Sequence, residues 1–323
     1  MKATQNRLAG TVGLLACIGL LLGGWGLLRR GNADRDAMQA GSSAPDSLRP
    51  LLALTTNDLA GVDIALVNLL CAEGLPQAGG ITPQEAKHTL DEWAKRVASE
   101  TERNFHQFRE NPAGFNNSEA YYRMLAMVTV LQQDFGVHYN AAHIQSPDFS
   151  DSRDLFLCGI LGPKREGTCL SMPVLYVAVG RRLGYPLKLV TTKAHVFARW
   201  ESADGKERLN LEGTNQGLNC FPDEYYLRWP VAMSEAESRE GGYLKSLSAA
   251  EELAVFLSAR GHCLEVNGRL AEAQLAQAQA HVLAPQSPVY LAFLAGAVRK
   301  EMPAWRQVQI DLGQNQAMGN ENR

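Results

Sequence analysis

Three signals are scarce or missing in this 323-residue sequence, and each absence argues against a class of function. Its 31 basic residues are balanced by 34 acidic ones, and no lysine- or arginine-rich block offers a groove for a phosphate backbone. Nucleic acid is therefore not expected as a partner. The six cysteines are scattered without a CxxC pair, which argues against a zinc ribbon or a dense disulfide framework. Because no calcium-binding loop is visible either, we expect no metal and no cofactor.

The N-terminus carries a long apolar run. Residues 8–28 contain no charge, and Arg7 and Arg29 bracket them. About 20 apolar residues are enough to cross a bilayer as a helix. We therefore predict an uncleaved transmembrane anchor over residues 1–30, and a single-pass membrane protein whose soluble part is periplasmic or otherwise extracytoplasmic.

Two alternatives for this run remain open. A cleaved signal peptide usually has a shorter apolar stretch and a small-residue cleavage site, whereas Trp25 and two arginines follow here. Lipidation at Cys17 would fit the LLAC sequence, but the apolar run continues well past it. Basic residues flank both ends, so the positive-inside rule does not decide the orientation.

The rest of the chain divides by composition and periodicity. A flexible linker is predicted over residues 31–50, a folded domain over 51–230, a helical extension over 231–312 and a disordered tail over 313–323. Thr82 and Pro83 predict a helix start, and that helix could run to about residue 109. Another helix is predicted over residues 118–135.

The middle of the chain predicts a buried helix followed by an antiparallel sheet. Residues 170–183 are apolar nearly all round a helix, and strands are expected over residues 187–192, 195–200 and 207–211. Three further helices are expected over 249–264, 269–283 and 288–299. They suit either a tetratricopeptide-type unit or a helical cap packed on the core. The aromatic-rich run 223–230 could line a cleft or pack in the core.

Cys169 and His195 are the candidate reactive groups. Cys169 is expected at the start of the buried helix, where the helix dipole and unpaired N–H groups favour a thiolate. His195 opens a strand, and a histidine beside such a cysteine suits proton transfer. Asn210 and Glu212 lie on the next strand, on the face of His195. Depending on the register of the hairpin, Glu212, Thr214 or Asn210 stands opposite the imidazole, so a carboxylate or an amide could orient it.

The run GTCLSMPVLYVAVGRRLGYPLKLVTTKAHVFARW, followed by LNLEGTN, resembles the transglutaminase-like superfamily of papain-like folds. The resemblance implies an α+β fold, in which a helix packs on a small antiparallel sheet. It also implies that Cys169 is the nucleophile, His195 the general base and Glu212 the acid, with Asn210 as the rival third member. Glutamate stands where the family usually has aspartate, and Gly213 where it commonly has proline. Residues 60–139 look like the N-terminal part of a bacterial branch whose members often add tetratricopeptide-like helices.

The implied reaction is acyl transfer on amide bonds of proteins or peptides through a thioester. Positioned N–H groups must stabilise the oxyanion, and the backbone N–H of Cys169 is a candidate donor. Water as acceptor would make a peptidase or amidase, and an amine would make a crosslinking enzyme. The alternative is a non-catalytic scaffold of the same fold that binds a peptide or protein partner through its C-terminal helices.

Overall fold

The computed structural model describes Pro45 and residues 47–301 of the chain. The predicted membrane anchor, most of the predicted linker and the predicted tail therefore lie outside the described residues. Within residues 47–301, no helix is both long enough and apolar enough to cross a membrane. The last residues assigned to the linker belong to the folded part of the chain, because Leu48 is buried and a helix starts at Arg49.

A set of helices precedes the sheet. They are α1 (Arg49–Leu52), α2 (Thr56–Ala60), α3 (Ile64–Ala72), α4 (Pro83–Arg103), α5 (Phe105–Glu110) and α6 (Glu119–Thr129). The start of α4 is a capping box: the Thr82 hydroxyl accepts the N–H of Glu85, and the Glu85 carboxylate accepts the N–H of Thr82. The single helix predicted to residue 109 is interrupted at Asn104. The helix predicted over 118–135 changes after α6 into a π-helical turn, Val130–Asp134.

Two short parallel strands and two short helices lead to the central helix. The strands are β1 (His138–Tyr139) and β2 (Glu166–Gly167), and the helices between them are α7 (Ser152–Leu155) and α8 (Leu157–Leu161). In the β1–β2 pair, Tyr139 stands opposite Gly167, and the N–H of Asn140 reaches the Gly167 carbonyl at 2.8 Å. This ladder holds Tyr139 beside the chain that enters the central helix.

The core is a buried helix on a three-stranded antiparallel sheet. The helix is α9 (Met172–Arg182), and the strands are β3 (Leu187–Thr192), β4 (His195–Glu201) and β5 (Arg208–Leu211), in the order β3-β4-β5. Every residue of α9 from Met172 to Gly180 is buried, as expected for a helix that is apolar on most sides. The predicted α+β arrangement is confirmed, and the strand ends agree with the prediction to within one residue.

The β4–β5 register follows from the turn between the strands. Ala198 pairs with Leu211, and Glu201 pairs with Arg208. This is the register in which Asp204 and Gly205 form the turn, and Gly205 has the positive φ of 69° that glycine adopts readily. Glu212 then follows β5 directly, diagonal to His195.

The chain beyond the sheet packs back on the core. It forms α10 (Asp223–Tyr226), α11 (Glu235–Gly241), α12 (Ala249–Val266), α13 (Leu270–Leu283) and α14 (Pro288–Glu301). Residues of α12 such as Leu253 and Leu257 are fully buried in the same apolar cluster as α9. The segment before α12 also runs along β3, where the N–H of Leu247 reaches the Leu189 carbonyl at 2.9 Å. The C-terminal helices therefore continue the core, as a helical cap would, and their likeness to a tetratricopeptide unit stays a prediction.

Candidate active site

Cys169 lies in the turn between β2 and α9. The helix begins at Met172, with Ser171 as its N-cap, so the prediction that Cys169 starts the helix is wrong by a few residues. Pro173 explains the difference: proline has no N–H and fits only in the first helical turn. The carbonyl of Thr168 accepts the N–H groups of Ser171 and Met172, which makes a tight bend at Cys169.

The surroundings of Cys169 differ from those of the core cysteines. Among the described residues, Cys71, Cys158 and Cys263 belong to the apolar core cluster and Cys169 does not. Cys169 keeps 8% of its surface exposed, against 0% for Cys71 and Cys263. Burial raises the pKa of Cys71 to about 12 and that of Cys158 and of Cys263 to about 11, so these thiols stay protonated and inert at neutral pH.

His195 is placed by the tight turn that joins β3 and β4. Thr192 pairs with His195, and only Lys193 and Ala194 lie between them. Ala194 has a φ of 59°, in the left-handed region that costs a residue other than glycine about 1–2 kcal/mol. The side chain of His195 is almost fully buried, and its Nε2 lies 2.8 Å from Oε2 of Glu212.

Cys169 and Glu212 both influence the ionisation of His195. Burial alone would lower the pKa of the imidazole, but hydrogen bonds with Cys169 and Glu212, together with the charge of Glu212, raise it to about 9. The ring is therefore held as imidazolium at neutral pH. Because Nε2 is bonded to Glu212, Nδ1 is the nitrogen left for the sulfur. This arrangement can keep a proton on the imidazole near the sulfur of Cys169.

The carboxylate of Glu212 is held at both oxygens. Its Oε1 accepts the N–H of Thr214 at 3.0 Å, and its Oε2 accepts the hydroxyl of Tyr226 at 3.1 Å. Burial by itself raises the pKa of Glu212, but the hydrogen bond and charge of His195, with the bonds from Thr214, lower it below its usual value. Glu212 therefore stays ionised and opposite the imidazolium.

Asn210, the rival third member, lies elsewhere. It stands opposite Arg199 in the β4–β5 ladder, and its Oδ1 accepts from Nε of Arg199 at 2.7 Å. Its amide nitrogen donates to the Phe221 carbonyl and to Asp223, at 2.8 Å each. All the polar atoms of the Asn210 side chain are thus engaged, and the structure places Glu212 at the imidazole in its stead.

Sequence reasoning missed two further contacts at the imidazole and its partner. Tyr226 is fully buried and bonded to Glu212, and the Trp229 ring meets the His195 ring edge-on with centroids 4.6 Å apart. Both belong to the aromatic run 223–230, which was expected either to line a cleft or to pack in the core. Tyr226 packs in the core. Trp229 is partly exposed and covers one side of the catalytic candidate His195.

Tyr139 is the third residue that sequence reasoning missed. The backbone N–H of Cys169, the candidate oxyanion donor, reaches the Tyr139 hydroxyl at 3.3 Å. The two residues are 30 positions apart, and the pairing that joins them is only two residues long. A strand this short shows no alternation of apolar and polar residues, so periodicity could not predict this pairing. The only local hint was an aromatic residue between two polar ones.

Comparison with known protein families agrees with this architecture. A family model described as the transglutaminase-like superfamily matches residues 84–253, more than half of the chain. The match runs from the first turn of α4 into α12 and therefore includes Cys169, His195 and Glu212. No curated protein and no solved structure matches the chain.

Proposed function

Since the chain belongs to the transglutaminase-like superfamily, we propose that it is a cysteine acyl-transfer enzyme acting on amide bonds of proteins or peptides. The observation that carries the proposal is the buried pair of His195 and Glu212, 2.8 Å apart, with Cys169 among the groups that raise the pKa of the imidazole. An imidazole between a thiol and a carboxylate can take the thiol proton and keep it.

In this proposal the residues of the Cys169–His195–Glu212 triad have distinct roles. The Cys169 thiolate attacks the carbonyl carbon of the substrate. His195, protonated at Nδ1, gives its proton to the departing amine, which leaves a thioester on Cys169. Glu212 holds the imidazole in position and stabilises its charge. Water or a second amine, deprotonated by neutral His195, then releases the acyl group as an acid or as a new amide.

Selective alkylation of Cys169 tests this proposal. The full-length chain in detergent is treated with iodoacetamide near pH 7, and each cysteine is quantified by peptide mass spectrometry. Cys169 should react first although it is more buried than Cys220, because burial raises the pKa of Cys220 to about 11. His195→Ala should slow the reaction at Cys169 alone, and Cys220→Ser is the matched control that should leave it unchanged.

Three results of the alkylation experiment would count against the proposal. Cys220 could react before Cys169, Cys169 could react only in denaturant, or the His195→Ala chain could be alkylated at Cys169 as fast as the wild type. Each result would mean that accessibility, rather than the imidazole, decides which thiol reacts.

A non-catalytic scaffold is the second candidate function. Large apolar side chains on the C-terminal helices favour it, since Val266, Val282 and Leu291 are 61%, 76% and 46% exposed. Such residues suit contact with a protein partner. The Cys169→Ser variant distinguishes the candidates, because a scaffold should keep its full biological function in that variant and an enzyme should lose it.

Membrane attachment belongs to the proposal through the apolar run of residues 8–28. We propose that this run anchors the enzyme so that the catalytic domain lies outside the cytoplasm. Alkaline carbonate extraction should leave the chain in the membrane pellet, and a C-terminal reporter active only in the periplasm should report activity. A chain released by carbonate, or a reporter active only in the cytoplasm, would contradict the anchor or its orientation.

A further inference from the structure

The neighbourhood of Cys169 contains one polar side chain to which the triad gives no role. Tyr139 lies on β1, and its hydroxyl oxygen accepts the backbone N–H of Cys169 at 3.3 Å. A hydroxyl that accepts one hydrogen bond still carries its own proton and can donate a second bond. The Cys169 N–H is directed at the Tyr139 oxygen, and Tyr139 can donate its own proton to a third group beside that contact.

Position and environment keep this hydroxyl in place and protonated. The β1–β2 pair sets Tyr139 opposite Gly167, two residues before Cys169. Burial, and then the negative charge of Cys169, raises the pKa of the Tyr139 phenol above its usual value of about 10. A phenol that does not ionise remains a hydrogen-bond donor at any pH at which the enzyme would work.

The geometry points to Tyr139 as a catalytic residue, the second oxyanion donor beside the backbone N–H of Cys169; this inference rests on the proposed acyl-transfer function. An oxygen that displaces the phenol oxygen from the Cys169 N–H can lie within hydrogen-bond length of both donors, because the two donor atoms are only 3.3 Å apart and a small movement of the phenol opens space between them. The carbonyl oxygen of the substrate would occupy that space and replace the phenol oxygen as the acceptor for the Cys169 N–H.

The step balances without any further reactant. The sulfur electron pair of Cys169 forms the C–S bond, and the carbonyl π pair moves to the oxygen, which becomes an oxyanion. Tyr139 and the Cys169 N–H donate hydrogen bonds to this oxyanion without giving up their protons. Collapse re-forms the C=O bond and breaks the bond to the leaving group, which takes its proton from His195.

Two reactions of the same sulfur separate this role from a merely structural one. Acetylation by p-nitrophenyl acetate passes through an oxyanion, whereas alkylation by iodoacetamide is a direct displacement without one. We therefore expect Tyr139→Phe in the full-length chain to slow acetylation of Cys169 about 100-fold and to leave its alkylation rate unchanged. Thermal unfolding checks the fold, and Tyr121→Phe, which removes the hydroxyl of a partly exposed tyrosine in α6, should change neither rate.

The outcomes also separate this inference from the proposed function. If wild-type Cys169 is acetylated and Tyr139→Phe is acetylated equally fast, the oxyanion role is wrong and the triad stands. If Tyr139→Phe slows acetylation and alkylation by the same factor, Tyr139 supports the thiolate instead, and the inference again fails. If wild-type Cys169 is alkylated but never acetylated, the proposed acyl-transfer function is wrong, and the inference about Tyr139 is then wrong as well.

Discussion

At the scale of single residues, the site depends on a buried charge pair. His195 and Glu212 have side-chain exposures of 2% and 1%, so little water screens the attraction between them. The bond from Tyr226 and the backbone N–H of Thr214 compensate Glu212 for the hydration that it loses. Cys169 and Glu212 together favour the imidazolium, and this explains why the pKa of His195 rises in spite of burial.

Glu212→Gln tests the charge while keeping the shape of the side chain. Without the carboxylate, burial should bring the pKa of His195 down from about 9 to near or below its usual value of about 6.5. The alkaline limb of kcat/KM should then move from near pH 9 to lower pH, and the rate at pH 7 should fall about 100-fold or more. Glu237→Gln is the control, since Glu237 pairs with Lys193 in the neighbouring turn but does not contact His195.

The same substitution has a signed effect on stability. The folded-state pKa of His195 lies above the unfolded value, so the imidazolium stabilises the wild-type fold fully below about pH 6.5, and this contribution is lost as pH rises through about 9. We expect chemical denaturation to show this decline in the wild type and not in Glu212→Gln. An unchanged pH dependence of both kcat/KM and stability in the variant would mean that Glu212 does not hold the imidazolium.

At the scale of elements, a fully buried arginine attaches the aromatic segment to the sheet. Arg199 on β4 donates to Asn210 on β5 at 2.7 Å, to the Leu244 carbonyl at 3.0 Å and to Asp223 at the start of α10 at 2.5 Å. The next residues of this segment include Tyr226, which bonds Glu212. Arg199 is therefore a positioning residue for the carboxylate rather than a group that touches substrate.

Arg199→Met should destabilise the protein and weaken the site. Asn210 and the Leu244 carbonyl would lose a partner, at about 1–3 kcal/mol for each buried group left unsatisfied. Urea unfolding should show this loss, and the rate at saturating substrate should fall as Tyr226 shifts. Arg208→Met is the matched control, because Arg208 contacts the same Asp223 at 3.7 Å from an exposed position and should cost less than about 1 kcal/mol. Equal effects of the two substitutions would contradict the role of Arg199.

The elements themselves were largely predictable, and the contacts between them were not. Strand periodicity and the Asp204–Gly205 turn predicted β3, β4, β5 and a set of registers that includes the observed one. The position of Cys169 was misjudged because the apolar residues extend beyond the start of the helix. Pro173 could have corrected it, since proline fits only in the first helical turn and so places the helix start later. Tyr139 could not be predicted, since nothing local to β1 shows that it pairs with β2 across 26 intervening residues.

At the scale of the whole molecule, an ion pair with a buried carboxylate joins the C-terminal helices to the catalytic core. Arg181 at the end of α9 donates both terminal nitrogens to Glu252 on α12, at 3.0 and 2.6 Å, and the Glu252 side chain is only 4% exposed. The pair joins the helix that follows Cys169 to the first helix of the cap. Separation of the cap from the core would expose both this pair and the apolar face of α12.

Arg181→Met tests this connection. It would remove the charged partner of the buried Glu252 carboxylate, and because Arg181 is 32% exposed the expected cost is about 1–3 kcal/mol. Thermal unfolding should remain a single transition at a lower temperature, because the cap and the core share one apolar cluster. Arg239→Met removes an arginine from an exposed pair with Glu235 and should change the free energy of unfolding by less than about 0.5 kcal/mol. Two separate transitions in Arg181→Met would show that the cap is an independent domain.

The central claim is that Cys169 forms a thioester, and trapping that thioester tests it most directly. After brief treatment of the full-length chain with p-nitrophenyl acetate, peptide mass spectrometry should find one acetyl group on Cys169, removable by neutral hydroxylamine. The group should be absent in Cys169→Ala, nearly absent in His195→Ala and unchanged in Cys220→Ser. Acetylation spread over several cysteines, or equally fast at Cys169 without His195, would contradict the account.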